Sequence, residues 1–220
     1  DRTICTKVNN TIISNDPAAL FPLQEALGYN LAQSMFTAKK NVLLEGLTDL
    51  WYLEGINSLF DKNLDQNIAL LPVGTSAKIS YYASMLSNND LKTVALLDSD
   101  SAGDKAAQQE VVVRALGTKN ILRTKEFLSR EIKNSEIEDI IRETLASIFF
   151  TEYAIQISSE DLASNKAIVD IFKKADPKFS KFKLSKAFLN WAREHSFKDL
   201  TQDEIKNCEK LLESINRRLK

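Results

Sequence analysis

Two stretches, 41-NVLLEGLTDL-50 and 94-VALLDSDSAGDKA-106, decide the fold. Each begins as an uninterrupted apolar run and ends in carboxylates beside a glycine. A strand that is apolar at every position has both faces covered, which is the habit of a parallel sheet with helices on either side. Working outward, NIALLPVG (67–74) and NILRT (120–124) have the same texture. Between these runs lie three helical patterns: 48–60 with Thr48 as its cap, 76–87 and 102–116. Strands alternating with helices predict an α/β fold, a parallel four-stranded sheet flanked by helices, built from right-handed βαβ units. In such sheets the ligand site lies at the carboxyl ends of the strands.

The flanks differ. Residues 3–8 predict a short strand. A helix is expected from Pro17 to Phe36, capped by Asp16, with Leu20, Leu23, Leu27, Leu31 and Met35 on one face. Beyond residue 130 the strand patterns stop. The segments 135–155, 160–175, 183–195 and 201–219 read as helices, with Pro177 as a break and no glycine after Gly117. The expected organisation is a linker strand and helix over 1–38, a catalytic α/β domain over 39–134, and a helical domain over 135–220 that completes the site.

Composition excludes several classes. The chain has 220 residues, 44% hydrophobic, 27% charged and 8% aromatic, which is globular and neither disordered nor collagen-like. No run is long enough for a membrane helix, and DRTICTKVNN lacks the zones of a signal peptide. With no initiator methionine, a fragment of a longer protein is expected. Cys5, Cys208 and the single His195 cannot build a Cys/His zinc site; the cysteines read as free thiols of a reducing, cytoplasmic compartment. His195 reads as a helix C-terminal partner, and Tyr29, Tyr52, Tyr81, Tyr82 and Tyr153 as packing residues. Residues 1–118 carry 9 Lys+Arg against 13 Asp+Glu, and residues 119–220 carry 20 against 17. That asymmetry alone is compatible with ordinary surface variation.

The chemistry available is therefore that of carboxylates, lysines and hydroxyls. The first strand ends in Glu45, with Asp49 one helical turn on. The third ends in Asp98 and Asp100, which share a face in a strand period. If these strands are neighbours, four carboxylates meet above one sheet edge. Crowded like charges raise one another's pKa, and a hard divalent cation such as Mg²⁺ or Mn²⁺ removes the conflict. Gly46 and Gly103 let a phosphate approach backbone amides at helix starts.

An ExxxD after one strand with a DxD after a later one resembles the Toprim fold. NVLLEGLTDLWYL, VALLDSDSAGDKA and the preceding DPAALFPLQEALGYNLAQSMF are most similar to the OLD (overcoming lysogenisation defect) family of nucleases. The resemblance covers about residues 16–140 well and the tail loosely. It implies two more site residues. One is an acid of an E-D-hydrophobic motif, matched by Glu138-Asp139-Ile140, with Glu138 preferred to Asp139. The other is a lysine of the tail, with Lys186 preferred to Lys183.

The resemblance implies a divalent-metal-dependent DNA endonuclease, useful in phage defence, and an N-terminal ATPase domain in the full-length protein. The chain itself has no GxxxxGK[ST] motif. Two ions roughly 4 Å apart suit both oxygens of a phosphodiester cleavage. Glu45, Asp49 and Glu138 would hold one, Asp98 and Asp100 the other, with Lys186 at the scissile phosphate. Ser99, Ser101 and Lys105 flank the DxD. Lys173, Lys174, Lys178, Lys181, Lys183 and Lys186, interleaved with Phe172, Phe179 and Phe182, could track a DNA backbone without sequence specificity. The competing readings are a Toprim unit of a primase or topoisomerase, an aspartate phosphatase built on LLDSD, and a non-catalytic metal-stabilised interaction module.

Overall fold

Four strands make one parallel sheet: β1 (Lys40–Leu44), β2 (Ile68–Pro72), β3 (Lys92–Leu97) and β4 (Ile121–Arg123), in the order β2-β1-β3-β4. The computed structural model describes residues 38–61 and 63–220; the strand expected at 3–8, the helix expected at 17–36, Cys5 and Tyr29 lie outside them. The central pair is β1 with β3, in the register Val42↔Val94 and Leu44↔Leu96. This adjacency sets the ends of the two acid-bearing strands side by side.

The apolar runs divide between two faces, as the strand period requires. Val42, Leu44, Val94, Leu96 and Leu122 enter one large core; Leu43, Ala95 and Leu97 are just as buried but face the other way. Helix α1 (Leu47–Leu59) contributes Tyr52, Leu53 and Ile56 to the large core. On the opposite side lie α2 (Ile79–Ser87), preceded by a single 3₁₀ turn (Ser76–Lys78), and α4 (Glu110–Leu116) packed against it. The helix expected over 102–116 is two helices, α3 (Ser101–Gln108) and α4, because Gln109 between them is extended (φ −60°, ψ 125°). Tyr81 departs from its expected packing role and is 68% exposed.

After β4 a 3₁₀ turn (Ile137–Ile141) leads into α5 (Arg142–Tyr153), α6 (Ser159–Ala163), α7 (Ile168–Ala175), α8 (Lys181–Glu194) and α9 (Gln202–Arg218). These helices do not form a separate core. Leu145, Phe149, Phe172, Leu184, Phe188, Leu211 and Ile215 belong to the same buried cluster as the sheet. Two polar ties fix them. Buried Glu204 accepts from Thr144 N and Oγ1 at 2.8 and 3.0 Å, joining α9 to α5. Buried Arg142 binds Asp139 at 2.9 Å and donates to the carbonyls of Leu162, Lys166 and Asp161. Phe172 and Phe179 stack with Phe149 and Tyr153, so these two are core and not a DNA surface. His195 follows α8, its Nδ1 2.8 Å from the Trp191 carbonyl. Among the described residues no helix is long and apolar enough to cross a membrane, and Cys208 is a buried free thiol.

The closest helix pairing is α1 on α8, and Gly55 makes it possible. A Cβ there would lie 2.5 Å from the buried Phe188 ring. Gly55→Ala should therefore lower thermal stability by about 1–3 kcal/mol, although alanine is the better helix former by about 1 kcal/mol. A raised melting temperature in calorimetry would show that the ring has room to move.

Candidate functional site

β1 stops at Leu44, and Glu45 and Gly46 make the turn into α1. The N-cap is Gly46, not Thr48 as expected. Asp49 is the third helical residue, and its Oδ2 reaches back to accept from Gly46 N at 2.8 Å. β3 likewise stops at Leu97, so the DxD is not extended strand. Asp98 sits just past the strand, and Asp100 is the N-cap of α3, its Oδ1 accepting from Gly103 N at 2.7 Å. The two strand ends are tied directly, Asp98 N donating to Glu45 Oε1 at 3.0 Å.

Several contacts hold the Asp98 turn. Arg123, at the end of β4, donates Nε and Nη2 to the Asp98 carbonyl and pairs through Nη1 with Asp104 at 2.8 Å. Gly103 is required here by proximity, since a Cβ would fall 2.1 Å from that same carbonyl oxygen. Beneath the turn lies a hydroxyl cluster. Ser99 N donates to the Ser135 carbonyl at 2.8 Å. Thr124 Oγ1 donates to the same carbonyl at 2.7 Å and lies 3.1 Å from Ser99 Oγ. This cluster fixes the segment beginning at Ser135 against the DxD, and that segment brings Glu136, Glu138 and Asp139.

Glu138 and Asp139 part company. Asp139 serves the fold: it accepts from Glu136 N, Ile168 N and Arg142. Glu138 is 0% exposed, and neither of its oxygens has a hydrogen-bond partner among the described residues. Lys181 Nζ stands 3.2 Å from Glu138 Oε1, out of line for a hydrogen bond, and 2.8 Å from Glu136 Oε2. The lysine brought to the acids is thus Lys181, the first residue of α8. Lys186, the lysine that the resemblance implied, is exposed farther along the helix. Lys183 is engaged elsewhere, with Glu152 at 3.2 Å and over the Tyr153 ring. Glu136 and Lys181 were not singled out from sequence as site residues. Glu136 was one acid among several in a polar run, and Lys181 one lysine among six.

The electrostatics are those of a crowded acidic cleft. Loss of water raises Glu45 to about 7, helped by Asp49 and Asp100 and opposed by its bond to Asp98 N. Burial raises Glu138 to about 8 against the pull of Lys181, with Glu136 and Asp49 adding to the rise. Asp98 is pushed well above the carboxylate range by burial, then by Asp49, Glu138 and Glu45. Asp49 is raised for the same first reason. Lys181 loses water too, but Glu138 and Glu136 outweigh that loss and hold its proton firmly. The hydroxyl of Tyr52, fully buried and without a partner among the described residues, is raised by burial and by Glu138.

Could such a site take Mg²⁺ or Mn²⁺? The donors are all oxygens, as those ions prefer, and Glu138, buried, has no hydrogen bond to either oxygen among the described residues and only the Lys181 ion pair at Oε1. Glu45 and Asp100 each commit one oxygen to a backbone amide and keep the other, whereas Asp49 accepts from Gly46 N through Oδ2 and from the Thr48 hydroxyl through Oδ1 at 3.4 Å. Even so, no three Asp, Glu, His or Cys side chains among the described residues close around one point as a finished ligand shell. The donor chemistry fits; the side chains are turned toward local amides.

Residues 36–100 match the family model described as "Overcoming lysogenization defect protein-like, TOPRIM domain". Among solved structures, the chain resembles the C-terminal region of the Xanthomonas campestris pv. campestris OLD protein, in crystals phased with platinum and with mercury. Both give 13% identity and a TM-score of 0.53, covering 84% of this chain and 96% or 97% of the other. At that identity the likeness is one of fold. No curated protein sequence matches the chain significantly.

A buried acid with a raised pKa holds a proton in the folded state that the unfolded chain releases near its ordinary value of 4.5. Its contribution to stability is full at low pH and is lost as pH rises through the folded value. In EDTA, stability should fall between about pH 4.5 and 8. Glu138→Gln should flatten that slope and stabilise the protein at pH 8 by about 1–3 kcal/mol. Parallel urea-melt profiles for the two proteins across this range would show that Glu138 does not carry the effect.

Proposed function

The chain carries an OLD-like Toprim domain over residues 36–100, and from that premise we propose that the protein is a divalent-metal-dependent DNA endonuclease. The observation that carries the reading is the gathering of Glu45, Asp49, Asp98 and Glu138 at the strand ends, where burial first and neighbouring carboxylates second raise their pKa values. A fold does not maintain such a cluster for stability, because uncompensated like charge in a dry place is costly.

In this reading Glu45, Asp49 and Glu138 hold one divalent ion, and Asp98 with Asp100 the other. When bound, Mg²⁺ or Mn²⁺ supplies a lowered pKa for the attacking water and charge stabilisation on the phosphate oxygens. The protein's own groups do the positioning. The bond from Asp98 N to Glu45 sets the distance between the two strand ends. Arg123 and the Ser99–Thr124–Ser135 cluster fix the turn that presents Asp98. Lys181, held protonated between Glu136 and Glu138, keeps positive charge at the cleft and offers it to a phosphate where negative charge develops. The remaining members of the reading are an N-terminal ATPase domain in the full-length protein and a role in phage defence.

A second reading uses the same buried acids: a non-catalytic module in which a cation serves only to neutralise them. The two are separable by experiment. With Mg²⁺ or Mn²⁺ the protein should nick supercoiled plasmid, EDTA should stop it, and Glu45→Gln or Asp98→Asn should slow it by about 100-fold or more. Lys181→Ala should reduce kcat about as much, while Lys186→Ala should act on apparent KM. Variants that melt normally yet cut at the wild-type rate would overturn the site assignment, and a wild-type protein that binds Mn²⁺ but never cuts would leave the interaction-module reading standing.

The raised acids also set a pH dependence for the ions. Glu45, near 7, and Glu138, near 8, must release protons before they can act as ligands. Mn²⁺ affinity measured by titration calorimetry should rise from about pH 6 to 8.5, with proton release detectable in buffers of different ionisation enthalpy. A pH-independent affinity would remove these two residues from the ligand set.

A further inference from the structure

Trp51 and Phe182 stand apart from every other large aromatic pair near the acids. Trp51 lies two residues after Asp49 on α1, and Phe182 follows Lys181 on α8. Their rings pack on each other, centroids 4.8 Å apart at 53°. Both are half-buried, and neither belongs to the buried cluster that joins the sheet to α1, α5, α7, α8 and α9. Core packing therefore does not account for them, whereas Tyr52, Phe149, Phe172 and Phe188 are all fully buried in that cluster.

One turn beyond Phe182, on the same face of α8, is Lys186. It is exposed and has no ion-pair partner among the described residues. The other lysines of the first two turns are already engaged, Lys181 by Glu136 and Glu138 and Lys183 by Glu152. Partly exposed aromatic surface beside an unengaged cation is the combination that binds a nucleic-acid strand through an open base and its phosphate. A base inside a duplex has no free face to offer, so such a surface favours unpaired bases.

We propose that Trp51 and Phe182 form a stacking platform beside the acidic cleft for an unpaired base of a DNA strand, with Lys186 at the adjoining phosphate. The protein would then act on single-stranded or frayed DNA in preference to fully paired duplex. The inference rests on the reading of the cleft as a DNA-processing site, and it is tested through binding, independently of cutting.

Trp51 and Trp191 are the only two tryptophans, so Trp191→Phe leaves Trp51 as the sole indole reporter. With Ca²⁺ as the divalent ion, an oligo-dT strand should quench that emission, and a blunt duplex of the same length should not. In anisotropy titrations with labelled oligonucleotides, Trp51→Leu should weaken single-strand binding by roughly five- to 150-fold. It should leave duplex binding within about twofold, Trp51→Phe should recover most of the loss, and Phe182→Leu should act in the same direction. Absent quenching, or an equal loss for single strand and duplex, would overturn the platform. A protein that binds single strands through Trp51 but never cuts DNA would keep the platform and discard the nuclease. A protein that nicks plasmid while Trp51→Leu leaves single-strand affinity unchanged would do the reverse.

Discussion

Carboxylates from three separated stretches of chain share a cleft from which water is largely removed. The loss of hydration, and after it the repulsion of neighbouring carboxylates, raises Glu45, Asp98 and Glu138 far from ordinary acid behaviour. Such a group of charges does not assemble spontaneously, and it must be held by bonds that do not depend on it. Much of the local architecture near the strand ends answers that need. Helix α1 begins where Asp49 can cap it, and α3 begins where Asp100 can cap it. Each of these two acids is thus anchored by a backbone amide at a helix start.

The second layer of support is made of neutral groups and of cations placed just outside the cleft. Thr124 and Ser135 are buried beneath the DxD turn and join two segments that lie far apart in sequence. Arg123 grips the Asp98 carbonyl rather than its carboxylate, so it steadies the turn without consuming a donor oxygen. Among the described residues only Lys181 enters the acidic group directly, and it does so between Glu136 and Glu138. Buried ion pairs of this kind contribute little net stability; in the proposed nuclease their value is to keep a positive charge where a phosphate would arrive.

The sheet was legible because a strand covered on both sides leaves an unmistakable run of apolar residues. Val42 to Leu44 and Val94 to Leu97 could be read as such without any partner in view. Helix ends were less legible. Thr48 is a good cap by composition, yet Asp49 reaches back to Gly46 and moves the start of α1. Which lysine stands beside the acids was hard to read for a related reason. Lys181, Lys183 and Lys186 are chemically alike in a lysine-rich run, and only the direction in which α8 leaves its first turn decides which one meets the acids.

By itself, the amino-acid sequence determined the alternation of strands and helices, the position of Glu45, Asp49, Asp98 and Asp100 at strand ends, and the exclusion of zinc and P-loop chemistry. These are properties of local pattern and residue type, which act over a few neighbours. Only the tertiary structure decided that β1 and β3 are adjacent, that Glu138 turns inward while Asp139 pairs with Arg142, and that Lys181 joins the cleft. Those choices depend on the packing of α8 against α1 and of the 137–141 turn against the sheet ends. Contacts between residues scores of positions apart leave no period in the chain for a reader to find.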